Sequence, residues 1–308
     1  MVRVELTLKG YEIGDMNKEP IGDTIWVNLL GAETRYYEAD SIRTRCIRAG
    51  QGRAVILLHG GGGHAEAYSR NVLPLSEKFE VFAVDFLGHG LTDGLDRVPS
   101  KEDYVKHLVG FMDSAGIEKA HLVGESLGGW LAFWTALLEP TRVGKLVSVC
   151  GARLAVTSDD ESARKTAEGR KDLAERTRRF LDEPTLENVR ARLAWLFYNP
   201  ERDLTDELVE LRWRMYQRES VRKTLQSMSD RSSQRQDEMF TPEVLSQLGH
   251  ETLMLWTSHN PSATVEVAKR AAEFIPRAEF VVMDDCGHWP QWEDPSTFNS
   301  IVSEYLER

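Results

Sequence analysis

The stretch His121-Leu122-Val123-Gly124-Glu125-Ser126-Leu127-Gly128-Gly129-Trp130 constrains this chain more than any other. An apolar run ends in Gly-x-Ser-x-Gly, and a helical pattern begins straight after it. That arrangement sets a serine on a sharp strand-to-helix turn, where the backbone is strained and only small residues fit two positions to either side. Gly124 and Gly128 supply them. A bare Gly-x-Ser-x-Gly recurs often by chance; the strand before it and the helix after it are what make this one informative.

The segments around it alternate as such a turn requires. Strand-like stretches cover 34–37 and 41–48, and Gly50-Gln51-Gly52 marks a turn. The continuous apolar run Ala54-Val55-Ile56-Leu57-Leu58 suits a parallel strand buried on both faces. A helical pattern follows over 65–78, a strand over 80–85, an amphipathic helix over 101–116, a strand over 119–123 leading into the serine, an apolar helix over 127–138 and a strand over 143–150. This alternation predicts an α/β fold, a mostly parallel sheet with helices on both faces. Residues 153–240 break the pattern. They hold no convincing buried strand and are rich in Arg, Glu and Asp with interleaved Leu, Trp and Tyr, which predicts an α-helical cap inserted over the C-terminal edge of the sheet. The alternation resumes with a strand over 251–256, a helix over 264–274, a strand over 279–283 and a helix over 295–306. The expected organisation is an N-terminal arm over 1–33, a core over 34–152 and 241–308, and the cap over 153–240.

Composition bounds the partners. The 308 residues suffice for one large domain with an insertion, and 41% hydrophobic with 28% charged residues is ordinary for an ordered globular chain. The net charge of −11 argues against nucleic acid or an anionic membrane surface as partner, since either calls for a basic face. It leaves room for a small carboxylate substrate met by a local arginine. Cys46, Cys150 and Cys286 are odd in number and widely spaced, with no disulfide or metal pattern, which is simplest in a reducing cytoplasm. The first residues carry no signal-peptide core, and no stretch approaches the ~20 apolar residues of a membrane helix. No cofactor or metal is expected, and a homo-oligomer stays open.

A serine hydroxyl is a poor nucleophile at neutral pH. It requires a base, a group that orients the base, and donors for the oxyanion. The amide of Leu127 is one donor, and the loop His59-Gly60-Gly61-Gly62-Gly63-His64, directly after the strand 54–58, offers another, best placed at Gly61. The base comes last in the chain order nucleophile, acid, histidine, and His288 sits on a loop just after the final strand. His59 is better read as an anchor of its own loop, His64 as a substrate contact, and His89 as part of a Gly-His-Gly turn. The orienting group should follow the strand 251–256, and the residue there is Asn260. An asparagine accepts a hydrogen bond from an imidazole N–H but brings no charge; in a serine-protease triad that exchange costs about four orders of magnitude in turnover. Asp284 and Asp285 lie close in sequence, while Glu125 adjoins the serine and is expected to point away, so no strong substitute is evident.

With these residues the chain resembles the α/β-hydrolase superfamily from residue 34 onward. More narrowly it resembles the meta-cleavage product hydrolases, which hydrolyse a carbon–carbon bond in 2-hydroxy-6-oxo-dienoates. The match is most specific at Cys286-Gly287-His288-Trp289-Pro290-Gln291-Trp292-Glu293 and at Leu204-Thr205-Asp206-Glu207-Leu208-Val209-Glu210-Leu211-Arg212-Trp213. The resemblance implies that His288 is the base, that Trp289 lines the substrate pocket and that Arg212 holds the substrate carboxylate, as a planar guanidinium does bidentately. Gly60, Gly62, His64 and Trp213 complete the expected contacts. Three positions depart from the family pattern: a shorter glycine loop, Glu125 in place of a small polar residue, and Asn260 in place of the acid. An ester or lactone hydrolase, or a non-catalytic ligand-binding protein on the same fold, remain alternatives.

Overall fold

The computed structural model describes residues 24–151, 153–155, 161–231 and 236–308. Most of the expected N-terminal arm, residues 1–23, lies outside that set. Eight strands form one sheet: β1 (Glu33–Ala39), β2 (Ile42–Ala49), β3 (Ala54–Leu58), β4 (Glu80–Val84), β5 (Ala120–Glu125), β6 (Val143–Val149), β7 (Thr252–Thr257) and β8 (Ala278–Met283). Their spatial order is β1-β2-β4-β3-β5-β6-β7-β8. β2 runs antiparallel to β1 and β4, and the other pairs are parallel.

The central strands read as unbroken apolar runs because each serves two cores, alternate side chains going to opposite faces. Ile56, Leu58, Phe82, Val84, Leu122, Leu146, Met254 and Trp256 face one side, packed with the helices Lys101–Ser114 and Leu127–Leu138. Val55, Leu57, Val81, Ala83, Val123, Val147, Leu253 and Leu255 face the other, with the helices Ser69–Ser76 and Pro295–Glu307. The helix Lys101–Ser114 is fixed at its start by a capping box between Ser100 and Asp103.

Between β6 and β7 the elements among the described residues are helices, among them Glu161–Asp182, Leu186–Ala194, Asp206–Tyr216 and Glu219–Arg231. They own a third apolar cluster, including Phe180, Val189, Leu193, Leu208, Tyr216 and Leu225, which closes against Trp289, Trp292 and Ala67 of the sheet-bearing part. Their buried stripes carry two arginines, Arg192 beside Val189 and Leu193, and Arg212 beside Leu208 and Met215. Among the described residues no helix is long and apolar enough to cross a membrane.

Candidate active site

Ser126 stands between β5 and the helix Leu127–Leu138 with φ 52° and ψ −112°, a conformation that costs a non-glycine residue roughly 1–3 kcal/mol. The turn is tight enough that side chains on its flanking glycines cannot fit. A Cβ on Gly124 would run into the backbone of Gly128, and one on Gly128 into the Leu58 carbonyl. The serine N–H donates to Val149 O at 2.9 Å, which ties the turn to the end of β6. Leu127 opens the helix, so its amide belongs to the first turn, where N–H groups have no intrahelical acceptor.

The glycine loop is held from both sides. His59 donates through Nδ1 to Gly60 O at 2.8 Å and stacks on Phe86, and Gly63 N–H also donates to Gly60 O, at 2.9 Å. From the helical insertion, Arg192 Nη2 donates to Gly61 O at 3.3 Å and Arg212 Nη1 to Gly62 O at 2.6 Å, joined by the Tyr216 hydroxyl at 3.1 Å. Three successive carbonyls are therefore engaged, and the peptide planes of the loop are set. Burial holds the His59 imidazole well below its ordinary range, so it supports the loop as a neutral ring.

His288 lies on the loop after β8, and that loop is clamped. Its own N–H donates to Leu196 O of the insertion at 2.6 Å. The buried Glu293 carboxylate accepts from the N–H groups of Gly287 and Trp289 on either side, at 3.0 and 3.1 Å, and from Tyr198 at 2.8 Å. Burial raises the Glu293 pKa, the three amides opposing it. Nδ1 of the His288 ring lies 2.9 Å from Asn260 Oδ1 and 3.4 Å from Ser262 Oγ. The same Asn260 oxygen accepts from Ser262 N–H at 3.2 Å and Ser262 Oγ at 3.0 Å, which assigns it as the acceptor facing an Nδ1–H. Asp284 and Asp285 are exposed and take no part.

The other ring nitrogen meets a charge. Glu125 is 1% exposed, and its Oε1 lies 3.2 Å from His288 Nε2. The expectation that Glu125 points away is overturned. Along β5 the period of two puts residue 125 on the same face as Val123, toward Tyr68 and Cys286, the face over which the His288 loop closes. The carboxylate also lies over Gly60, where any Cβ would collide with it.

These groups converge on a cavity of about 90 Å³ lined by Gly60, Gly61, Glu125, Ser126, Leu127, Leu173, Arg192, Leu196, Arg212, His288 and Trp289. It sits at the C-terminal ends of the strands, where open α/β sheets bind ligands. A wider cleft of about 590 Å³ at the opposite ends, lined by Arg53, Lys119, His121, Lys145 and Arg277 among others, contains none of these residues. Of the expected contacts, three stay off the cavity. His64 is buried and turns its Nδ1 to Glu66 at 2.9 Å, Trp213 donates to Pro184 O at 2.8 Å, and Gly62 offers only the carbonyl that Arg212 holds. Glu125 and Arg192 are the residues a reading of the sequence misses. For Arg192 the signal was present, since an arginine three after Val189 falls in an apolar helical stripe.

Arg212 is fully buried, and its Nε and Nη2 have no hydrogen-bond partner among the described residues. Burial lowers the Arg192 pKa. Burial would raise the Tyr216 phenol, yet Arg212 and Arg192 outweigh it and hold the phenol below its ordinary range.

This sheet order, a strained serine at the end of β5 and a histidine after β8 define a serine-bearing α/β hydrolase. The family described as alpha/beta hydrolase fold matches residues 53–295, and the chain belongs to it. Within it the relatives are specific. The chain is 31% identical over 91% of its length, and 94% of the relative's, to a 2-hydroxy-6-oxononadienedioate/2-hydroxy-6-oxononatrienedioate hydrolase of Paraburkholderia phymatum. It is 32% identical to a protein of the same name from Burkholderia vietnamiensis, over 83% of this chain and 87% of that one. Its fold superposes on the meta-cleavage product hydrolase of Pseudomonas fluorescens IP01 with a TM-score of 0.76 and 30% identity, covering 90% of this chain and 98% of that chain.

Proposed function

We propose that the protein is a cofactor-independent serine hydrolase that cleaves a carbon–carbon bond in a 2-hydroxy-6-oxo-dienoate, the type of substrate named for its relatives. The observation that carries this reading is Arg212, a buried guanidinium with two unpartnered nitrogens on the same cavity as Ser126 and His288. Such a group needs an anion, and a bidentate carboxylate is the one it fits. In this reading the substrate carboxylate lies on Arg212, and Trp289 and Leu196 pack along the dienoate. The enol is first converted to its keto form by proton transfer through His288. Ser126 Oγ then attacks the 6-oxo carbon and gives its proton to His288, while the amides of Gly61 and Leu127 receive the oxyanion. Cleavage sends the bonding electrons to the dienoate carbon, which takes up a proton, and water releases the acyl group from Ser126 as a carboxylic acid. Residues 153–240 act as a cap. The cavity is smaller than the ~300 Å³ at which ligand pockets begin, so a dienoate requires it to widen.

The test is loss of the yellow dienolate absorbance on addition of purified protein. No bleaching at micromolar enzyme, with a nitrophenyl ester cleaved normally, would assign the site to ester hydrolysis instead.

A further inference from the structure

Attack by Ser126 creates a charge that the triad residues named so far do not answer. The base, His288, is oriented by Asn260, which is neutral, so nothing on the Nδ1 side answers the imidazolium that forms when Ser126 gives up its proton. On the Nε2 side stands a carboxylate whose two oxygens are buried and have no hydrogen-bond partner among the described residues. An ionised carboxylate without hydrogen bonds is among the costliest groups to bury, and it is tolerated where a positive charge appears against it. The Glu125 Oε1 to His288 Nε2 distance of 3.2 Å is ion-pair range, but the contact misses hydrogen-bond geometry. The carboxylate therefore sits off the ring's N–H axis.

We propose that Glu125 is a catalytic residue that replaces the missing triad acid, from the opposite side of the imidazole. The proposal rests on His288 and Ser126 acting as base and nucleophile. As the Oγ–carbon bond forms, the carbonyl π pair moves onto oxygen and the Oγ proton moves to Nε2. The new imidazolium lies against the Glu125 carboxylate, and Asn260 Oδ1 keeps hold of Nδ1–H. Orientation and charge, which one aspartate supplies in the usual triad, are here divided between two residues. The placement comes from the chain itself. Residue 125 precedes the strained serine, so the turn that presents Ser126 also carries Glu125 to the ring, and Gly60 leaves the space its carboxylate fills.

The experiment moves the charge across the ring. Glu125→Gln, Asn260→Asp and the double variant E125Q/N260D are compared with the parent chain on the dienoate and on a nitrophenyl ester. The rate at which a fluorophosphonate labels Ser126 is measured in parallel. Glu125→Gln is expected to lower kcat and the labelling rate by roughly 10²–10³-fold with KM changed only a few-fold. Asn260→Asp alone gains less than about tenfold, because the charge is already present, and the double variant recovers most of the loss, as charge restored at Nδ1 should do. The acid limb of kcat/KM moves to lower pH in Glu125→Gln and back in the double variant, since a carboxylate favours the protonated ring.

The other charged or titratable groups near the pair are unaltered in this series: Arg192 and Arg212 of the insertion, Tyr68 after the glycine loop, Cys150 at the end of β6, and Glu293 on the His288 segment. A Glu125→Gln rate within about threefold of the parent overturns the proposal, as does a gain of 10³ or more from Asn260→Asp alone, which would mean the charge is simply absent. If the parent cleaves the ester but not the dienoate, the substrate assignment fails while the ester and labelling series still decide Glu125. If the parent does not label at all, Ser126 is not activated and the proposal falls with it.

Discussion

Two buried acidic centres flank the glycine loop, and they are built on opposite terms. At the first, Arg45 of β2 donates through Nε to Asp85 at 2.6 Å and through both terminal nitrogens to Glu66 at 2.6 and 2.7 Å. Asp85 also accepts from the N–H groups of Ala65 and Leu91, and Glu66 from His64 Nδ1. Although burial opposes it, hydrogen bonds from His64 and Arg45 hold Glu66 far below the usual carboxylate range. Its oxygens are satisfied, and the result is a brace that joins β2 to the loops after β3 and β4. At the second centre Glu125 makes no hydrogen bonds among the described residues, and His288 Nε2, which carries a charge only when the ring takes up a proton, lies 3.2 Å from it. Complete satisfaction makes a structural joint; incomplete satisfaction leaves potential free to act on a charge that appears only during reaction.

The contrast can be attacked at several points. The largest effect belongs to Ser126→Ala, which should cut turnover by roughly 10⁴–10⁶-fold while leaving the thermal unfolding midpoint nearly unchanged. A residual rate near the parent's would remove the serine from the chemistry. Next comes Arg45→Met, which strands Asp85 and Glu66 and should cost about 3–5 kcal/mol in urea unfolding. Glu125→Gln, by contrast, should cost less than about 1 kcal/mol or stabilise, because it removes a buried charge that has no hydrogen bonds. Equal losses in the two variants would erase the distinction between the centres. Arg212→Lys should lower kcat/KM by about 10–100-fold, chiefly through KM, since an ammonium cannot form the bidentate pair. A loss confined to kcat would make Arg212 a support for Gly62 rather than a carboxylate clamp.

The smallest effect is a pH slope. Burial depresses His89 and His107 to about 4 from an ordinary value of 6.5. Below pH 6.5 the unfolded chain takes up protons that the folded chain refuses, so stability falls as pH drops toward 4 and each ring accounts for roughly 1–2 kcal/mol near pH 5. In His107→Asn the slope of unfolding free energy against pH between 6 and 4.5 should shrink by about one proton; an unchanged slope would show that His107 protonates as readily folded as unfolded.

Much of this was readable without coordinates. The strands of the sheet were legible because those buried on both faces must be apolar through their middles, and 54–58, 81–84 and 253–256 are. The serine turn was legible because its strain demands glycine at 124 and 128. His288 and Asn260 were legible because chain order assigns them to the ends of β8 and β7, and their side chains do meet at 2.9 Å. The orientation of Glu125 was not, since it depends on the register of β5 and on a loop 163 positions away closing over one face. His64 and Trp213 were expected to contact substrate, and partners elsewhere, Glu66 and Pro184, claim them instead.

By itself, then, the sequence determined what local periodicity and local strain can encode: the alternating elements, the turn at Ser126, the helical insertion and the chain order of serine, amide and histidine. Only the tertiary structure decided which charges meet. Arg45 is satisfied by residues 21 and 40 positions away, Arg212 reaches back 150 to the glycine loop, and Glu125 finds His288 across the sheet edge. A hydrophobic pattern repeats every two or four residues and is visible in any short window, whereas an ion pair has no period. Its partner is set by how whole elements pack, and it can be read only once they have.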